Sequence, residues 1–221
     1  MKKYLLFDLD GTLTDPKEGI TKSVQYALSR FGIEECYKNL LPFIGPPLLD
    51  SFMDFYNFNE EKANVAIKYY RERFSTVGLY ENSLIDGIID VLKNLKECGY
   101  IMSIATSKPT DFAVSICNHF NLSEYFHLIV GSELDGTRTR KSEVISEVLK
   151  RLNATADEAI MIGDRKHDII GAKETNMNSI GVTFGYAKDG ELEEAGADFI
   201  ANTTSELLDY LLENIYVSSY K

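Results

Sequence analysis

The stretch Tyr4-Leu5-Leu6-Phe7-Asp8-Leu9-Asp10-Gly11-Thr12-Leu13-Thr14 decides how the rest of the chain reads. It opens with a short apolar run, the pattern of a strand buried on both faces of a parallel sheet. The run breaks off at Asp8 and Asp10, two carboxylates one residue apart, followed by a glycine and a threonine. Open α/β sheets bind ligands outside the carboxyl ends of their strands. If the run is a central strand, Asp8 stands at the mouth of such a site, where a carboxylate can attack an electrophile or bind a metal. An Asx turn closing a strand suits Asp-x-Asp-Gly equally well. The segment alone leaves both readings open.

Working outward, Asp15-Pro16 marks a turn, and the pattern then becomes helical. Ile20, Val24, Ala27, Leu28 and Phe31 share a helix face with Gly32 as a stop. Pro42 and Gly45-Pro46-Pro47 interrupt the chain, Leu48 to Tyr56 predicts a second helix, and Glu60 to about Thr76 a third. No strand is expected from Pro16 to about Ser83, so residues 16–83 read as an all-helical insert. From Leu84 helices alternate with the strands Ile101–Ala105, Leu128–Val130, Ala159–Ile162, Ser179–Val182 and Phe199–Ala201. A last helix runs from Ser205 to Ile215, with Leu207, Leu208, Leu211, Leu212 and Ile215 on one face. Such alternation predicts an α/β fold with a mostly parallel sheet covered by helices on both sides. The expected division is residues 1–15 and 84–221 as core and 16–83 as insert.

A chain of 221 residues is long enough for one core and a smaller insertion. No apolar run reaches the length of a membrane span, and the first one ends at Asp8, too soon for a signal peptide. Cys36, Cys98 and Cys117 have no metal-ligand spacing and read as reduced thiols of a cytoplasmic protein. A net charge of -11 argues against a nucleic-acid backbone as the main ligand. It also means that an anionic substrate needs a local cation or metal.

Polar residues follow several of the expected strands. Thr106-Ser107-Lys108 follows Ala105, Gly163-Asp164-Arg165-Lys166-His167-Asp168 follows Ile162, and Lys141 opens a helix between them. Taken singly, Thr106 and Ser107 read as helix caps, Asp164 as a turn residue and Lys141 as a solvated surface group. Their order and placement together are what depart from chance. That order resembles the haloacid dehalogenase superfamily of phosphohydrolases, through Asp8-Leu9-Asp10-Gly11-Thr12, Thr106, Lys141, and Gly163-Asp164 with Asp168. Gly45-Pro46-Pro47, Ala105-Thr106-Ser107-Lys108-Pro109, Gly131-Ser132 and Asp135-Gly136 make it most similar to the phosphoglycolate phosphatase-like branch. Ser142 departs from that pattern, where many relatives have proline after the lysine, and leaves Arg138 and Arg140 as rival cations.

The resemblance implies a Rossmann-like core, an inserted α-helical cap, and a phosphomonoesterase with an aspartyl-phosphate intermediate. It makes Asp8 the nucleophile and Asp10 the general acid and base. It makes Asp8, the Asp10 backbone carbonyl and Asp164 the ligands of Mg2+, with Asp168 direct or through water, Mg2+ being the cofactor that neutralises so many acids beside a phosphate. Thr106, Ser107 and Lys141 would bind the phosphoryl oxygens, Thr106 and Lys141 acting in catalysis. The expected partner is a small-molecule phosphate ester, phosphoglycolate first and a nucleoside 5'-monophosphate next, for a monomer or homodimer with neither nucleic acid nor membrane. A β-phosphoglucomutase-like mutase and a non-enzymatic phosphometabolite-binding protein are the rival classes. His167 reads as a surface or supporting residue, His119 and His127 as partly buried, and Glu191-Leu192-Glu193-Glu194 as a solvated helix face.

Overall fold

The computed structural model describes residues 2–216, with side chains as far as 213. Its strands are β1 (Tyr4–Phe7), β2 (Thr14–Asp15), β3 (Ser83–Leu84), β4 (Ile101–Pro109), β5 (Phe126–Ser132), β6 (Ala159–Gly163), β7 (Asn178–Val182) and β8 (Phe199–Ala201). Its helices are α1 (Lys17–Ser29), α2 (Leu48–Tyr56), α3 (Glu60–Arg73), α4 (Ile88–Glu97), α5 (Thr110–His119), α6 (Lys141–Leu152), α7 (Lys166–Glu174), α8 (Glu191–Ala195) and α9 (Thr204–Tyr216). Contacts divide the chain into two compact units, Met1–Thr14 with Leu84–Lys221, and Asp15–Ser83.

The first unit is a six-stranded parallel sheet in the order β5-β4-β1-β6-β7-β8. The apolar run at Tyr4–Phe7 lies inside it, pairing with β4 on one side and β6 on the other. The chain therefore leaves β1 for one half of the sheet and later returns to its other side. That reversal is where a parallel sheet opens a crevice at its strand ends. Leu6 packs with Ala105, Val130, Met161 and, from α6 and α7, Val144, Ile145, Val148 and Ala172. Leu5 and Phe7 are as fully buried and, by alternation, point to the opposite face. Burial on both faces explains why the strand reads as an unbroken apolar run. Each such side chain contributes about 1.5–3 kcal/mol. Ile215 lies in α9, but its side chain falls outside the described residues.

The second unit is helical. α1 and α2 are joined through a 3-10 turn at Tyr37–Phe43, which accommodates Pro42, and α3 runs on into a π turn at Phe74–Gly78. Asn59 opens α3, its side chain accepting from Lys62 N at 2.9 Å, and Asn57 closes α2 in the left-handed region at φ 51°. Phe43, Phe52 and Phe58 form the interior, with ring centroids 5.1 Å apart for Phe43 and Phe52 and 6.1 Å for Phe52 and Phe58.

Candidate active site

β1 does not simply stop at Phe7. Asp8 N donates to Ile162 O at 2.9 Å, so the ladder to β6 carries Asp8 to the carboxyl edge of the sheet. The chain then turns sharply, with Gly11 N donating to Thr14 O and Leu13 N to Leu9 O. Gly11 has φ +83°, and a Cβ there would lie 2.1 Å from Asp164 Oδ2. Both the left-handed backbone and the approach of Asp164 require glycine. The turn expected from Asp-x-Asp-Gly is therefore present, closed by backbone groups, while its two carboxylates face other side chains.

Asp8 meets Asp164 and Asp168. Ligand oxygens of the three lie within 4.8 Å of one another, and all three residues are buried. Asp164 follows β6 and accepts from Tyr186 N at 2.8 Å and from the Thr12 hydroxyl at 3.4 Å. Asp168 lies in the first turn of α7, where its Oδ2 accepts from Arg165 N at 3.0 Å. Lys141, at the start of α6, places Nζ 2.9 Å from Asp8 Oδ1 and 2.7 Å from Asp168 Oδ1, and donates to Ala105 O at 3.0 Å. These are ion-pair distances without hydrogen-bond alignment, so both carboxylate oxygens stay buried with no hydrogen bond. Burial alone would lower the Lys141 pKa; Asp168 and Asp8 more than offset it, and the ammonium is held charged.

Burial pushes the Asp164 and Asp168 pKa values up, reinforced at Asp164 by Asp168 and Asp8 and opposed at Asp168 by Lys141. Three converging carboxylates, two of them with a buried oxygen that has no hydrogen bond, are an arrangement that a hard, oxygen-loving cation fits. Arg138 and Arg140 are engaged elsewhere. Arg138 Nε donates to Gly131 O at 2.8 Å, and Arg140 pairs with Glu174 at 3.0 Å.

β4 supplies the other edge. Its pairing with β5 continues to Pro109 rather than ending at Ala105, through an irregular segment. Thr106 is buried there, its hydroxyl accepting from Lys108 N at 3.3 Å. Ser107 is half-buried, and its carbonyl accepts from Ser132 Oγ at 2.8 Å. Lys108 Nζ lies 2.7 Å from Asp10 Oδ2. Burial raises the Asp10 pKa, with Lys108 pulling against it, and Asp10 Oδ1 is buried with no hydrogen bond. Sequence reasoning passed over Lys108 as a functional residue. The signal available was its place two residues after Thr106.

Other expectations need correcting. Glu191 is not on a solvated face: its side chain is 8% exposed, 2.9 Å from Arg165 Nε, and it accepts from Lys166 N and Lys188 N. His119 and His127 are exposed rather than partly buried. His167 is half-buried, its pKa lowered by burial and then by Arg165, Lys166 and Lys141.

A family profile described as haloacid dehalogenase-like hydrolase matches residues 5–182, which takes in both strand-end acid motifs, Thr106 and Lys141. The chain belongs to this family. It is 51% identical over 189 residues, 85% of its length and 86% of the other's, to a 5'-nucleotidase of Pseudomonas aeruginosa. It is 34% identical over 209 residues, 94% of its length and 68% of the other's, to the tyrosine-protein kinase PtkA of Mycobacterium tuberculosis. The crystal structure of a predicted phosphatase from Clostridium acetobutylicum superposes with TM-score 0.94 at 51% identity, covering 96% of this chain and 99% of that one. As a haloacid dehalogenase-like hydrolase, the protein is an enzyme of the phosphatase class, with an α/β fold on a parallel sheet. No described helix is long and apolar enough to cross a membrane.

Proposed function

We propose that the protein is a Mg2+-dependent phosphomonoesterase that forms an aspartyl-phosphate on Asp8 and acts on nucleoside 5'-monophosphates. The observation that carries the reading is the buried junction of Asp8, Asp164 and Asp168 around Lys141. The nucleotide preference rests on the 51% identity to a 5'-nucleotidase. Asp8, Asp164, Asp168 and the Asp10 carbonyl would hold Mg2+, which when bound offsets the repulsion between the acids and the phosphate dianion.

The remaining chemistry belongs to the chain's own groups. An Asp8 carboxylate oxygen attacks phosphorus as the bond to the leaving oxygen breaks. Asp10 gives that oxygen its proton and then takes one from the attacking water, which expels phosphate and restores Asp8. Burial at Asp10 favours the proton-carrying form that the first step needs. Lys141 and the Thr106 hydroxyl, with Ser107 beside it, hold the phosphoryl oxygens as charge develops. The helical unit Asp15–Ser83 is assigned the role of a cap that chooses the substrate.

Phosphate release from a panel of nucleoside 5'-monophosphates, phosphoglycolate and β-phosphoglucose tests the proposal, with and without chelator. Nucleotides should lead in kcat/KM, chelator should abolish turnover, and Asp8→Asn should lower it by at least about a thousandfold. Preference for phosphoglycolate would overturn the substrate, and turnover by Asp8→Asn the mechanism.

A further inference from the structure

We infer that Lys108 is a positioning residue for Asp10, holding Oδ2 of its carboxyl so that Oδ1 is the oxygen that exchanges protons with the leaving group and with water. The inference rests on the acid–base role proposed for Asp10 and adds a residue that this role requires. The side chains of the pair are 5% and 11% exposed, and Lys108 Nζ sits 2.7 Å from Asp10 Oδ2. An oxygen receiving an ammonium N–H at that distance is occupied as an acceptor and is a poor seat for a proton. A proton carried by Asp10 therefore belongs on Oδ1, which is buried and has no hydrogen-bond partner of its own. Without Lys108 the carboxyl would turn about its Cβ–Cγ bond, a soft torsion that the Nζ–Oδ2 contact fixes.

The backbone of Lys108 is built into place. From Ala105 to Pro109, β4 advances four residues while its partner advances two, from Val130 to Ser132, so β4 carries two extra residues. Ser132 Oγ donates to Ser107 O at 2.8 Å, the Thr110 hydroxyl donates to Ser132 O at 3.3 Å, and Gly131 N donates to Thr110 Oγ1 at 3.1 Å. A Cβ on Gly131 would lie 2.1 Å from Lys108 O, so only glycine lets the neighbouring strand close on the bulge. A solvated lysine needs no such scaffold. The bulge puts Thr106 and Lys108 on the same inward side, one residue for the phosphoryl group and one for the acid. In the step itself, the P–O bond to the leaving group breaks as the Asp8–phosphorus bond forms. The Oδ1 proton passes to the leaving oxygen, and Oδ1 later receives one proton from the attacking water.

Leaving-group dependence reads this role. An alkyl ester such as a nucleoside 5'-monophosphate needs the proton, whereas p-nitrophenyl phosphate departs readily without it. Lys108→Met should lower kcat on the alkyl ester by about a hundredfold, at least ten times more than on the aryl ester. KM should shift by no more than about threefold, because a positioning residue acts on the transition state. In an Asp10→Asn background the same substitution should cost almost nothing more, since residues acting as a unit are not additive. Lys108→Arg, which keeps a donor at the site, carries the same comparison if Lys108→Met fails to fold, and otherwise should restore part of the alkyl-ester rate. Equal losses on both esters, a dominant rise in KM, or full additivity with Asp10→Asn would overturn the inference. Turnover by Asp8→Asn would sink the underlying mechanism instead. An inactive Asp8→Asn without leaving-group bias at Lys108 would sink only this role.

Discussion

Between Asp15 and Ser83 the buried polar residues are Thr21, Ser23 and Ser51, all uncharged, and packed phenylalanine rings form the interior. In the sheet unit the buried set includes Asp8, Asp10, Lys108, Lys141, Asp164, Arg165 and Asp168. The difference is one of purpose. Burying rings stabilises a fold, whereas burying acids costs free energy unless each is paired, and a pair seldom recovers the whole cost. The sheet unit can carry these charges because they are confined to one end of its strands. Below them Leu5, Leu6, Phe7, Met161 and Ile162 form a dry interior. Interior substitutions should therefore act in opposite directions in the two units.

The largest effect on stability is expected in the helical unit. Phe52 is fully buried and packs on Phe43 and Phe58. Phe52→Ala should cost about 3–5 kcal/mol, since it removes both the transfer free energy and the packing around the cavity. Denaturant unfolding followed by circular dichroism would measure it. A loss below about 1 kcal/mol would mean that the rings do not form a close-packed interior.

At Asp164 the sign should reverse. Its folded-state pKa is raised by burial and then by Asp168 and Asp8. Above the unfolded value the native protein holds more protons there than the unfolded chain, so this group's contribution falls as pH rises toward the raised value. In chelator, Asp164→Asn should therefore melt higher than the parent at pH 7, by about 2–4 °C, with the gap closing toward pH 4. Mg2+ should raise the melting temperature of the parent and much less that of the variant. A metal-free Asp164→Asn that melts below the parent at pH 7 would instead make this carboxylate a structural anchor for Tyr186 N.

These contrasts follow what the sequence makes legible. Strands β1 and β6 are continuous apolar runs because both faces are covered, and the acids that end them stand out. Lys108 was legible only through its place two residues after Thr106, because Thr106-Ser107-Lys108 otherwise looks like the end of a strand. Its inward position comes from a bulge set by Gly131, Ser132 and Thr110, which a local pattern does not register. Glu191 was hidden in an acidic run, and only the fold brings Arg165 to it. His119 and His127 were misjudged through their aromatic neighbours. On α5 the buried face is Ala113, Ile116 and Cys117, and His119 turns away from it. His127 points outward from β5, the strand at the edge of the sheet.

The smallest effect should come from a charge in the helical unit that is neither buried nor free. Arg73 NH1 and NH2 donate to Glu81 Oε2 and Oε1 at 2.7 and 2.9 Å, and Lys22 Nζ lies 3.1 Å from Glu81 Oε1. The two-pronged Arg73 contact and then Lys22 hold the Glu81 pKa below its ordinary value against partial burial. A lowered folded-state pKa stabilises above the unfolded value, and that contribution is lost as pH falls through the lowered one. Glu81→Gln keeps the shape and one acceptor but gives up the charge. At pH 7 and low salt it should cost about 0.5–1 kcal/mol, the upper range for a partly exposed pair. The gap between parent and variant should narrow below about pH 4 and in molar salt, where screening shortens the reach of the charges. A cost that stays constant across pH and salt would place the stabilisation in the hydrogen-bond geometry at Arg73. The electrostatic contrast between the two units would then be sharper still, with every consequential charge at the strand ends.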